Sequence, residues 1–305
     1  MHYNDFGHWI RQQFPYRVQK LSVDAGFSCP NRDGRISTGG CIYCNNKTFN
    51  PSYCNREKHI REQLTEGKAF FARKYPTMKY LAYFQAYTNT YDSLDMLKRK
   101  YEEALSVEDV VGLVIGTRPD CMSDSLLDYL DMLNRQVFVL VEYGIESTND
   151  DTLRRINRGH DFACTRKAIE QTSERNILTG GHIIMGLPGE SKEDILRQAP
   201  IISSLPLNIL KIHQMQIIKG TSLAEEYLKN PDVCQLYDVD GFIRLIGEYL
   251  PYLRKDLVLE RFVSQSPKEL LIAPQWGLKN HEFTDRLNNY LKANNIYQGM
   301  RLHSL

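Results

Sequence analysis

The sequence predicts an α/β fold: six strand–helix units along a parallel sheet, followed by a short C-terminal extension. Three observations predict it. Short runs rich in Val, Ile, Leu and Tyr alternate with longer amphipathic stretches. The pair repeats at intervals of roughly 25 to 35 residues, the span of a strand with its crossover helix. The runs read as buried strands between helices, which favours a parallel sheet with right-handed crossovers. Six such units suit an open partial barrel or a doubly wound sheet, and periodicity does not separate the two. In both, the chemistry belongs beyond the C-terminal ends of the strands.

Taken in order, residues 8–14 form a short helix that Pro15 limits. Residues 20–24 are the first strand and lead into a cysteine-bearing loop that ends near Cys54. A helix follows over 59–74, with Ile60, Leu64, Ala69, Phe70 and Phe71 on its apolar side. Residues 79–85 are the second strand. Ser93 is the N-cap of a helix that runs to Ser106, and 110–115 is the third strand. Ser123 caps the next helix, to Arg135, and 137–141 is the fourth strand. A helix over 166–175, a fifth strand over 178–185, a helix over 192–205 and a sixth strand over 209–215 complete the alternation. Past Lys219 the pattern changes. Residues 223–229, 241–254 and 282–294 read as helices and 258–263 as an extra strand. This divides the chain into a unit over 1–220 and an extension over 221–305 that packs on the sheet's open side or binds substrate.

Composition narrows the class. Hydrophobic residues make up 42% of the 305, enough for a sizeable core, and the net charge of +1 gives no whole-chain field toward nucleic acid. No apolar run approaches the ~20 residues that span a bilayer, so no membrane partner is expected. The first residues lack the apolar core of a signal peptide, which points to the cytoplasm. Seven cysteines, clustered toward the front, favour metal or catalytic use over disulfides in a reducing compartment.

The most specific stretch is CPNRDGRISTGGCIYC. It places Cys29, Cys41 and Cys44 in a Cys-x11-Cys-x2-Cys spacing with Tyr43 before the last. Pro30, Asn31, Asp33, Gly34, Gly39 and Gly40 between them are loop formers. Three thiolates on a loop suit a 4Fe-4S cubane, which ordinarily takes four, and leave one iron open. An open iron chelates the amino and carboxylate groups of S-adenosylmethionine (SAM). An electron passed to the sulfonium then breaks a carbon–sulfur bond and yields a 5′-deoxyadenosyl radical. Zinc is the competing reading, because Cys29, Cys41, Cys44 and Cys54 make four ligands. Cys54 is otherwise a bystander, or a thiol near the cluster that holds substrate or donates a hydrogen.

These cysteines, with the strings EYGIESTNDDTLRRINRGH and GGHIIMGLPGE, resemble the radical SAM family. Within it the chain looks like the YtqA/YhcC type, a relative of the radical SAM part of the Elongator catalytic subunit. The gap of eleven departs from the common spacing of three but fits that branch. The resemblance covers roughly residues 15–280, favours the partial barrel with six repeats, and implies two cofactors, a 4Fe-4S cluster and SAM. SAM's amino group needs a carboxylate, its carboxylate a cation and its ribose polar side chains. Glu142 or Glu146, Arg158 and His182 supply such groups, and by resemblance Glu146, Arg158 and His182 occupy SAM-contact positions. Gln85 and Thr117 match their positions loosely. Gly186 and Gly189 allow backbone to approach the adenine. Tyr87 and Tyr91 are open to stacking on a base, whereas Tyr83 or Phe84 must face the core.

The resemblance also implies tRNA as the partner: maturation of a carboxymethylaminomethyl group on C5 of the wobble uridine to aminomethyl. The extension is too short for an acetyltransferase domain, so acetyl-CoA-dependent carboxymethylation is not expected. An RNA face would use Lys58, Arg61, Lys68, Arg73 and Lys74, with Arg154, Arg155 and Lys167. The electron comes from an external donor such as a flavodoxin or ferredoxin. Two other readings are a radical SAM enzyme for a small molecule or protein side chain, and a zinc-stabilised RNA-binding module without catalysis.

Overall fold

The structure is a computed structural model; it describes residues 2–48, 50–72 and 77–302. Arg73 and Lys74 of the expected basic face lie outside them. The elements run α1 (Phe6–Gln13), β1 (Val18–Val23), α2 (Ile60–Ala72), β2 (Lys79–Phe84), α3 (Leu94–Leu105), β3 (Val110–Thr117), α4 (Asp124–Asn134) and β4 (Phe138–Glu146). They continue with α5 (Asp150–Arg155), α6 (Phe162–Glu174), β5 (Leu178–Met185), α7 (Lys192–Ser204), β6 (Ile209–Gln214), β7 (Ile217–Ile218) and α8 (Ser222–Lys229). The chain closes with α9 (Val239–Tyr249), β8 (Val258–Arg261), β9 (Leu271–Ala273) and α10 (Asn280–Ala293).

The main sheet has seven strands, all parallel, in the order β1-β2-β3-β4-β5-β6-β8. A sheet whose strands follow chain order curls in one direction, so this is the partial barrel. The seventh strand comes from the extension: β8 pairs Val258 with Ile209 and Leu259 with Leu210. Ser93 and Ser123 cap α3 and α4 as expected, accepting from the N–H groups of Met96 and Leu126. The short α5 was missed. Its six residues are too few for periodicity to register, although Asn149 caps it and both ends carry the favourable charges.

Alternation sorts the strand residues into an outer face that packs under the helices and an inner face with three levels. At the N-terminal end Leu81, Val114, Leu140, Ile209 and Val258 form an apolar floor. Helix α1 plugs it with Ile10, Phe6 and Trp9, joined by Phe14 at its C-cap, and the preceding Asn4 carbonyl accepts from Leu259 N–H at 2.8 Å. The second level is ionic: Lys20, Glu142, Lys211 and Glu260, from β1, β4, β6 and β8. The third, at the C-terminal ends, is a cavity. No helix among the described residues is long and apolar enough to cross a membrane.

Glu190, after β5, ties three elements together. Its Oε1 accepts from Ser147 Oγ at 2.5 Å and Gln198 Nε2 at 3.0 Å, while its buried Oε2 has no partner. Burial pushes this carboxyl up to about 7. A raised folded pKa means full stability below the unfolded value and a loss as pH rises toward 7. Glu190→Gln mimics the protonated form. It is expected to match the parent below about pH 4 and to be more stable at pH 8 by about 3 kcal/mol, checked by denaturant melts at both values.

Candidate functional site

The cavity holds about 160 Å³ and is lined by Cys29, Cys41 and Cys44 at one end and by Glu142, His182, His213 and Arg261 at the other. The cysteine loop between β1 and α2 contains one short 3-10 turn, Asn46–Thr48, so its backbone polar groups must find partners elsewhere. Many are met within the loop, as by Gly40 N–H to the Asn31 carbonyl at 2.6 Å, and the turn after α5 ties the loop to the barrel. Asn31 Nδ2 donates to the Asn157 carbonyl at 2.6 Å, and Ile42 N–H to the Ile156 carbonyl at 3.1 Å. From the other side Leu223 N–H donates to the Ile42 carbonyl at 3.0 Å. Arg32 crosses the loop and donates to the Cys44 carbonyl at 2.5 Å.

The sulfur atoms sit among donors. Asn31 Nδ2 and Arg158 Nη1 are each 3.6 Å from Cys41 Sγ, and Asn46 Nδ2 is 3.6 Å from Cys44 Sγ. Two buried guanidinium groups at this end carry unpartnered nitrogens, Nε of Arg158 and Nη1 of Arg118. Buried cationic donors without acceptors fit a bound anionic group. A 4Fe-4S cluster on three thiolates is such a group. Among the described residues no three His, Cys, Asp or Glu side chains converge on a point that one metal ion could share. The thiols instead frame a volume, as ligands to separate irons do. Cys54 does not join them. It is buried outside the cavity lining, where burial and neighbouring Asp24 push its thiol up to about 12.

Six of the eight expected SAM contacts line the cavity: Gln85, Thr117, Glu142, Glu146, Arg158 and His182; Gly189 lies outside its lining. So does Gly186. It has a φ of +94°, and a Cβ added there would stand 2.8 Å from the Gln235 carbonyl oxygen, so its lack of a side chain serves its own fold. Glu142 is fully engaged. Lys20 donates to its Oε1 at 2.9 Å, and Lys211 and His182 to its Oε2 at 2.6 and 3.0 Å. Burial alone would raise this carboxyl, but Lys20, Lys211 and His182 hold it well below the usual range. Burial and Lys211 keep His182 neutral, so its Nε2–H donates to Glu142. Glu146 remains as the carboxylate with spare capacity. Its one ion pair among the described residues, to Arg158 Nη2, is 3.7 Å long. It also has a positive φ of 64°, at a register irregularity between β4 and β5. Strained backbone of this kind is a mark of functional sites.

Sequence reasoning assigned no role to Gly144, Arg32, Asn46 or Arg118. A Cβ on Gly144 would stand 2.4 Å from Glu146 Oε1 and 2.7 Å from Arg158 Nη2. Arg158 Nη2 also donates to the Gly144 carbonyl at 2.6 Å. The glycine within EYGIE is the one signal that was readable. Of the tyrosines, Tyr87 lines the cavity, but so does Tyr83, against expectation, because Phe84 is the member of that pair that turns outward onto Tyr101. Tyr91 lies in a neighbouring depression with Arg35 and Cys121.

Four cations of the expected basic faces are ion-paired. Lys58 pairs with Glu66, Lys68 with Asp109, Arg154 with Asp151 and Arg155 with Glu226, while Arg61 bonds Ser106. A different basic surface opens beside Cys44. Arg32, Lys47 and Lys219 line a depression of about 500 Å³ with Asn45, Asn46 and Tyr87, and its lining contains no carboxylate.

The Radical SAM superfamily model matches residues 32–197, and the Radical_SAM C-terminal domain model matches 207–293. YtqA of Bacillus subtilis is 33% identical over 297 residues, covering 97% of this chain and 92% of its own. The tRNA uridine(34) acetyltransferase of Methanocaldococcus infernus is 24% identical over 215 residues, 68% of this chain and 35% of its own length. The solved structure of the archaeal Elp3 of the same organism, with an N-terminal deletion, superposes with a TM-score of 0.67 at 16% identity. The match spans 93% of this chain and 64% of that one.

Proposed function

The chain belongs to the radical SAM superfamily, and from that premise we propose that it modifies the wobble uridine of tRNA, maturing a C5 carboxymethylaminomethyl group to aminomethyl. It is an enzyme whose cofactors are a 4Fe-4S cluster and SAM. When bound, these supply a 5′-deoxyadenosyl radical from one-electron cleavage of SAM. The chain's residues hold and orient them. Cys29, Cys41 and Cys44 are the cluster ligands. Asn31, Asn46 and Arg158 donate toward their sulfurs, a hydrogen-bonding lever on cluster potential. Glu146 takes SAM's amino group, and Arg158 and Arg118 offer cationic donors for its carboxylate. Gln85 and Thr117 face the ribose, and neutral His182 borders the same cavity. The electron comes from an external donor, for which a flavodoxin or ferredoxin is the proposed partner.

The observation that carries the RNA assignment is the depression beside Cys44, with three cations, an aromatic ring and no carboxylate at the edge of the cluster loop. Phosphate recognition needs that charge, and base stacking needs such a ring. The similarity to a tRNA uridine(34) acetyltransferase supports the same substrate class. Replacing Lys47 and Lys219 together by alanine is expected to weaken tRNA binding. It should also flatten the slope of log affinity against log salt by about 1.4, two single-strand phosphate contacts. Unchanged affinity and slope would remove this surface from the account.

Gly144 gives an internal test. Gly144→Ala forces the ends of Glu146 and Arg158 aside while leaving the strand intact. The variant is expected to fold and take up iron but to bind SAM about tenfold more weakly, a loss of about 1.4 kcal/mol. Titration of SAM into the reconstituted protein measures it.

A further inference from the structure

The charges at the cavity's inner end do not balance. Lys20 and Lys211 are matched by Glu142 and Glu260, which between them take every ion pair those lysines make. Burial and the flanking cations keep both His182 and His213 toward the neutral form. Arg261 is left over. Its Nη2 meets only His213 Nε2, at 3.3 Å, its Nε is buried without a partner, and it makes no ion pair among the described residues. It lines the cavity at the end away from the cysteines. A largely enclosed guanidinium facing a cavity without a counter-ion is an anion site.

Behind this end of the cavity, a second, larger cavity shares no lining residue with the first. It holds about 630 Å³ and is lined by Gln214, the neighbour of His213, by Val263 and Ser264, just beyond Arg261, and by Trp276 and Phe283 of the extension. The rings of Trp276 and Phe283 are stacked at 5.7 Å and give the extension's side of this space a firm apolar wall. Gln214 is locked by a two-way bond to the Ser264 backbone, so β6 and the segment after β8 move as one wall between the two spaces.

We propose that Arg261, with His213, anchors a carboxylate of the substrate at the end of the cavity away from the cysteines. This rests on the proposed function, whose carboxymethylaminomethyl group bears one carboxylate, and adds which side chains hold it. A planar carboxylate suits the unpartnered Nε–H edge, and its single charge matches the single uncompensated cation. Arg261 acts as a positioning residue, fixing which part of the substrate faces the cofactor end.

The test uses the reconstituted holoenzyme with SAM and two matched probe pairs, acetate against acetamide and benzoate against benzamide. Affinities are read by ligand-observed NMR, with no turnover needed. The carboxylates are expected to bind at least tenfold more tightly than the amides. Arg261→Gln should abolish the preference, and Arg261→Lys should restore part of it, with iron content and melting temperature reporting that each variant is folded. Equal binding of acid and amide by the parent protein, or a preference that survives Arg261→Gln, overturns the proposal. Either result leaves cluster content and SAM cleavage in place, so it is distinct from failure of the radical SAM reading. If Arg261→Gln does not fold, the parent's acid-to-amide ratio alone decides.

Discussion

Replacing any one of Cys29, Cys41 or Cys44 by alanine is expected to leave a folded protein that cannot hold its cluster. All three thiols face the cavity from one loop, and that loop is pinned to the turn after α5 by Asn31 and Ile42, not by the cysteines. Losing a thiol therefore removes a ligand without releasing the loop. Iron bound after anaerobic reconstitution should fall from about four per chain to below about one, because two thiolates do not retain a cubane. SAM cleavage should drop by about 10³-fold or more, since the reducing electron has no route without the cluster. Cys54→Ala is the control. That thiol lies beside Asp24, outside the cavity lining, and its removal should leave iron content unchanged. Full cluster loss on Cys54→Ala would restore a four-thiol site and with it the zinc reading.

The second large effect is on stability. Glu142→Gln should destabilise the fold by about 3–5 kcal/mol, the usual result of removing one partner from a buried ionic group. Glu142 is 1% exposed and accepts from Lys20, Lys211 and His182. Without its charge, Glu260 alone must balance Lys20 and Lys211. The pH dependence has a definite sign. The folded carboxyl lies well below the usual range, so its contribution is complete above the unfolded value of about 4.3. It is lost only as pH falls through the depressed folded value. The gap between parent and variant should thus hold steady from pH 5 to 8 and narrow only below about pH 4. Chemical denaturation across that range measures it, and a gap under about 1 kcal/mol at pH 7 would mean that the ionic level is not a structural unit.

Much of this was readable from the chain because the signals are local. The cysteine loop announces itself by spacing and loop formers within sixteen residues of sequence, 29 to 44. Helix caps such as Ser93 and Ser123 act over three residues, and apolar strands mark themselves. What escaped is long-range. Lys20 and Glu260 stand 240 positions apart, and Lys211 and Glu142 stand 69 apart. No local pattern pairs them, and a lysine in an apolar strand reads as a breaker until its partners are seen. The seventh strand was found as a strand, but its place beside β6 depends on a crossover through the whole of α8 and α9. The expected basic face shows the reverse case: composition displays Lys58 and Lys68 but not Glu66 and Asp109, which pair with them. Gly186 and Gly144 make the same point in miniature. Both are glycines near strand ends, and only the atoms around each show that one yields to its own backbone and the other to Arg158 and Glu146.

The measurement that bears most directly on the central claim is an anaerobic reaction of the reconstituted enzyme with SAM, a reductant and bulk tRNA. 5′-Deoxyadenosine and the masses of the tRNA nucleosides are followed together. The account predicts deoxyadenosine that rises with added tRNA, matched by loss of the carboxymethylaminomethyl nucleoside and gain of the aminomethyl one. Deoxyadenosine that forms at the same rate without tRNA, with every nucleoside mass unchanged, would contradict the tRNA assignment. No deoxyadenosine from protein with a full cluster would contradict the radical chemistry itself.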